Sequence, residues 1–139
     1  MNVQAYLFFN GRCEEAIEFY QRAVGAKVEM LMRHKDMPEP GATPAPNMAN
    51  KVLHAAFRIG DTTVLASDGR AEGPPARFEG FSLAISAPTD AESQRLFAAL
   101  GEGGAVQQPL TKTFFSSQFG MVTDRFGVMW MVLTATDAS

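Results

Sequence analysis

Very little in this chain advertises a specialised chemistry by abundance. A single cysteine, Cys13, excludes an internal disulfide and a cysteine-based metal cluster. It reads as a small residue entering a helix. Histidine occurs only twice, so imidazole chemistry would have to rest on His34 or His54. Twelve basic residues against 15 acidic ones give a net charge of -3, and the basic residues are scattered. No field or patch therefore gathers nucleic acid or an anionic lipid surface. No run of about 18 apolar residues exists, which excludes a membrane-spanning helix. The first nine residues lack the basic region and long apolar core of a signal peptide. The expectation is a cytoplasmic protein that partners neither nucleic acid nor membrane.

What is present describes one globular domain. The 139 residues are 46% hydrophobic and 19% charged, enough to bury a core. Val3 to Phe9 is short, β-branched and aromatic, and Asn10-Gly11 stops it, so it reads as a strand. Arg12 to Val24 carries Ala16, Ile17, Phe19, Tyr20, Ala23 and Val24 at helical spacing, with Glu14 and Glu15 at the positive end of the dipole. Gly25 ends that helix, and Ala26 to Arg33 is the next strand. His34 to Asn50, rich in proline and without periodicity, is a loop that is either a lid or disordered. Val52 to Ile59 and Thr62 to Asp68 form a hairpin turning at Gly60-Asp61.

Gly69 to Arg77 cannot continue a sheet and acts as a connector. The pattern then restarts. Phe81 to Ser86 is a strand, Thr89 opens a helix with Glu92 at capping-box spacing, and Leu96, Phe97 and Leu100 form its buried face. Ala105 to Leu110 is a strand, and Phe119 to Leu133 is a closing hairpin whose turn holds Asp124 and Gly127. Strand, helix and three strands thus occur twice. The fold class is α+β, with two tandem βαβββ modules: about 1–68 and 78–135, joined by a linker over 69–77.

A tandem βαβββ chain of this size resembles the vicinal oxygen chelate superfamily of glyoxalases, bleomycin-resistance proteins and dioxygenases. Tyr6-Leu-Phe-Phe-Asn-Gly-Arg-Cys-Glu-Glu-Ala-Ile-Glu-Phe-Tyr20, His54 ahead of Ile59-Gly60, Ala66-Ser67-Asp68, and Thr123-Asp-Arg-Phe-Gly-Val-Met-Trp130 look like its PhnB-like branch, also called 3-demethylubiquinone methyltransferase-like. The resemblance implies a curved mixed sheet around a cleft, often completed by a homodimer. Metal-dependent members hold a divalent ion on the first and last strands of each half. Those positions fall near Ala5, Leu65, Ser82 and Met131 here, and none is a ligand for a hard metal. No metal and no cofactor is expected.

The same resemblance makes Ala5, Leu7, Leu65, Ser67, Ser82, Phe115, Met129 and Met131 the lining of a largely apolar ligand cleft. His54 alternates away from Leu53, Ala55 and Phe57 and has the resting pKa range of a general base. Asp68 would orient it from across the sheet, or else simply end the strand. Asp124 reads as a turn residue bonding its own backbone. Gly101-Glu-Gly-Gly104 follows a helix rather than opening one, the wrong geometry for a phosphate cradle. The first expectation is thus a metal-independent binder of a small apolar or aromatic molecule. The alternative is a lyase, isomerase or dioxygenase-type enzyme with an atypical site at His54 and Asp68.

Overall fold

The computed structural model describes residues 1–36, 47–69 and 73–136. The chain divides into two compact units, Met1–Ala76 and Arg77–Ser139. The first contains β1 (Tyr6–Phe8), α1 (Cys13–Val24), β2 (Lys27–Arg33), β3 (Val52–Ile59) and β4 (Thr62–Ser67). The second contains β5 (Leu83–Ala87), α2 (Asp90–Gly101), β6 (Ala105–Thr111), β7 (Phe119–Thr123) and β8 (Met129–Thr134). Each unit is one βαβββ module with its own four-stranded mixed sheet, ordered β1-β4-β3-β2 and β5-β8-β7-β6. In both, the first strand runs parallel to the last and the remaining pairs are antiparallel. The internal repeat read from the sequence is the architecture.

Each module buries one sheet face under its helix. The periodic stripe of α1, Ala16, Ile17, Phe19, Tyr20, Ala23 and Val24, is buried as expected, and Cys13 is buried with it. Tyr20 stacks on Phe57 of β3 at 5.8 Å and lies 6.2 Å from the Phe9 ring. Leu7, Ala55, Phe57, Val64 and Ala66 complete that core. Gly25 adopts the left-handed conformation that a β-carbon disfavours, and Ala26 N–H reaches back to the Tyr20 carbonyl at 3.2 Å. In the second unit Thr89 caps α2 by accepting the Glu92 N–H at 3.2 Å, the bond its spacing predicts. Leu96, Leu100, Val122, Trp130 and Val132 are buried there.

The start of α1 is built differently from that of α2. Arg12 supplies no side-chain cap. Instead Asp68, just past β4, accepts the Cys13 N–H on Oδ1 at 2.7 Å and the Val52 N–H on Oδ2 at 2.6 Å. One buried carboxylate therefore anchors the first turn of α1 and the first residue of β3 to the end of β4. The loop between β2 and β3 begins with a 3₁₀ turn over His34–Asp36 and ends with a turn over residues 47–50. Of the stretch in question as a lid, residues 34–50, residues 37–46 lie outside the described residues.

Candidate ligand site

Strand register decides which side chains share the sheet face turned away from α1. Paired residues lie side by side on one face. Tyr6 is opposite Leu65, Phe8 opposite Ser67, Ala56 opposite Leu65, and Met32 opposite His54. Leu7 is opposite Ala66 and only 1% exposed, whereas Tyr6 and Phe8 are 37% and 45% exposed. The outward face of the first unit therefore carries Tyr6, Phe8, His54, Ala56 and Leu65. Leu7 lies on the opposite face, in the core under α1, and so does not sit beside Leu65 as expected. The reason is the register against β4, which pairs Leu7 with the buried Ala66 and leaves Tyr6 and Phe8 on the outward face.

These outward residues form a connected group. The Tyr6 hydroxyl lies 3.0 Å from His54 Nδ1, one donating to the other according to the tautomer. The Tyr6 ring is 5.5 Å from the His54 ring and 5.0 Å from the Phe8 ring. Ala5 is half-buried just ahead of β1, its carbonyl accepting the Leu65 N–H at 2.9 Å. Ser67 is buried, its hydroxyl accepting the Gly69 N–H at 3.2 Å. Neither Tyr6 nor Phe8 stood out in the sequence, although aromatics at i and i+2 on a strand necessarily share a face.

His54 and Asp68 are not brought together. Asp68 is 4% exposed on the helix side, its two oxygens occupied by the backbone amides of Cys13 and Val52, while His54 pairs with Tyr6. In the second unit Met129 and Met131 are half-buried and alternate with the buried Trp130 and Val132. Ser82 is half-buried ahead of β5. Phe115 is 44% exposed in the segment before β7, 5.2 Å from both the Phe114 and Phe119 rings. Asp124 organises the final hairpin, accepting the Phe126 and Val128 N–H groups and, on its other oxygen, the Trp130 indole N–H at 2.9 Å.

The donor set does not fit a divalent metal ion. Ala5 and Leu65 offer no side-chain donor, Ser82 is a neutral hydroxyl and Met131 a soft thioether. Among the described residues no three His, Cys, Asp or Glu side chains cluster. The glycine-rich turn after α2 is likewise a packing device. Gly103 has φ +77° with Arg125 over it, and Arg125 Nε donates to the Glu102 carbonyl at 3.2 Å.

Cys13 is buried, and burial, reinforced by the nearby Asp68 and Glu14 carboxylates, pushes its thiol from 9.0 up to about 12. A thiol so held is no nucleophile. We expect it to resist a disulfide reagent at pH 8 in the native protein and to react at once in denaturant. Rapid native labelling would contradict this. Because the folded pKa is the higher one, its contribution to stability is complete below pH 9.0 and is lost as pH rises from there towards about 12.

Comparison with known proteins adds the lineage. Residues 1–133 match the model of a family described as 3-demethylubiquinone-9 3-methyltransferase. Protein PA1353 of Pseudomonas aeruginosa is 40% identical and superposes with a TM-score of 0.87, over 99% of each chain. The PhnB protein of Bacillus cereus is 26% identical with a TM-score of 0.78, covering 97% of this chain and 100% of that one. The fold extends further. A fosfomycin resistance protein, FosX of Mesorhizobium loti, shares it at 14% identity and a TM-score of 0.64, over 99% of this chain and 94% of its own.

Proposed function

Given that the chain belongs to the 3-demethylubiquinone-9 3-methyltransferase family, the PhnB-like branch of the vicinal oxygen chelate superfamily, we propose that it is a metal-independent binder of a small, largely apolar or aromatic molecule. The Tyr6–Phe8 pair carries this reading. Two aromatic rings 5.0 Å apart stand partly exposed on a sheet face, with Leu65 and Ala56 beside them and the Tyr6–His54 hydrogen bond as a polar handle. Apolar walls with a few placed polar groups are what small-molecule sites are made of. Ser67 closes one end of that face, and Ser82, Met129 and Met131 give the second unit a comparable face of its own. The working form is a homodimer, for which the exposed Phe114 and Phe115 are candidate contacts.

Methyl transfer gains no support from the residues. The turn over residues 101–104, the glycine-rich loop that might suggest a nucleotide-type cofactor, is occupied by packing against Arg125 and Thr123. A second reading, an enzyme with His54 as general base, is favoured by the 3.0 Å Tyr6–His54 contact, with Tyr6 rather than Asp68 as the orienting group.

A neutral fluorescent aromatic, N-phenyl-1-naphthylamine, tests the binding reading. It should bind the purified protein and keep its affinity after exhaustive dialysis against EDTA. Phe8→Ala should weaken it by about tenfold, and Leu65→Asp by more. Binding that disappears with the metal, or no binding at all, would overturn the reading. His54→Ala should leave probe affinity within about twofold, given how little of the apolar face it removes. Native mass spectrometry of the same sample reads any co-purifying small molecule and the subunit count.

A further inference from the structure

Beside the outward face, the first unit contains a cavity of about 690 Å³, within the size range of small-molecule sites. Phe8 belongs to its wall and also to the Tyr6–His54 face, so the cavity and the proposed site share that ring. The rest of the wall includes Asn10, Gly11, Met48, Lys51 and Asp68, with residues 73–76.

Two charges line this space, and they are placed differently. Asp68 is 4% exposed and spends its oxygens on the Cys13 and Val52 amides. Lys51 is half-buried, and among the described residues its ammonium makes one hydrogen bond, to the Gly11 carbonyl at 3.1 Å, and no ion pair. An ammonium has three N–H donors, so two remain for a ligand. An anion in the cavity would give that ammonium the charged partner that no described residue supplies.

The site is also held in shape. Lys51 N–H donates to the Met48 carbonyl at 2.9 Å, and its own carbonyl accepts the His34 N–H at 3.0 Å. The turn before it is tied down by Arg33, which donates to the Asn50 carbonyl at 2.9 Å and to both Glu14 oxygens at 3.2 and 2.6 Å. Asn10, at φ +55°, exchanges two side-chain hydrogen bonds with the backbone of Ala76 at 2.9 and 2.8 Å, fixing the opposite wall. Gly11, at φ +91°, presents its carbonyl to the ammonium from a backbone conformation that favours glycine.

We propose that the cavity holds the charged end of a small organic anion on Lys51 Nζ while the apolar body of that molecule lies against Phe8. This rests on the outward face being a binding site and narrows its ligand from an apolar molecule to an apolar anion.

The test compares two probes with the same aromatic body. 1-Anilinonaphthalene-8-sulfonate carries an anionic group that N-phenyl-1-naphthylamine lacks. The sulfonate should bind the wild-type protein more tightly and lose affinity with added salt, while the neutral amine stays nearly constant. Lys51→Met should weaken the sulfonate about tenfold to a hundredfold, the worth of a charged hydrogen bond, and leave the amine within about twofold. Lys51→Arg should retain most of the sulfonate affinity. Phe8→Ala should weaken both probes. If Lys51→Met moves the two equally or not at all, the anion assignment is wrong and the apolar site survives. If Phe8→Ala affects neither probe, or neither binds, both readings fall. The salt comparison needs no variant and overturns the assignment if the sulfonate is insensitive.

Discussion

Replacing Asp68 with alanine is expected to destabilise the protein by about 3–5 kcal/mol, a large share of the roughly 5–15 kcal/mol that holds a domain of this size. The two bonds it removes are short, 2.7 Å to Cys13 N–H and 2.6 Å to Val52 N–H, and both are buried. Bonds to a charged acceptor are worth about 1.5–3 kcal/mol each, and buried amides left unpaired add their desolvation cost. Asp68→Asn keeps one acceptor oxygen but turns an amide donor toward the second N–H, so it should fall between wild type and Asp68→Ala. Urea unfolding checks both, read as a shift in midpoint at constant slope. A loss below about 1 kcal/mol for Asp68→Ala would show that the carboxylate does not anchor α1 and β3.

Gly104→Ala should be comparably damaging in the second unit, by about 3 kcal/mol or more, at the upper end of overpacking costs. A β-carbon at residue 104 would stand 2.0 Å from the Thr123 carbonyl oxygen and 2.9 and 3.0 Å from backbone carbons of Asp124. No rotamer change relieves a clash with backbone, so the end of β7 must move. Asp124 transmits that movement, because its side chain bonds the Phe126 and Val128 amides and the Trp130 indole. Gly60→Ala is the matched control. Gly60 has φ +57° and open space where its β-carbon would go, so it should cost only the about 1–2 kcal/mol of left-handed strain. Equal losses at the two positions, by thermal or urea unfolding, would sink the steric account.

Both variants bear on how far the sequence could be read. The two βαβββ modules were legible because helical stripes, turn glycines and the Thr89 cap are local signals, each contained within about one element length. The stripe of α1 and the cap of α2 are where the spacing places them. The glycine turn after α2 was read as a helix end, and its close packing on Thr123 gives that reading a cause.

The orientation of β1 was not legible, since Tyr6-Leu-Phe-Phe9 is apolar at every position and an unbroken apolar run has no phase. Register against β4 supplies it, sending Leu7 inward and Tyr6 and Phe8 outward. Asp68 looked like a strand end because its partners lie 55 and 16 residues away. Lys51 had no signal at all: its meaning comes from Gly11 and Phe8 standing across a cavity that only chain crossings create. Local periodicity and turn chemistry were therefore enough for the repeat and the helices. Which face of the first sheet is exposed, which backbone amides Asp68 accepts and where the Lys51 ammonium lies come from contacts between distant segments. Such contacts depend on register and burial, and neither is written in the order of residues.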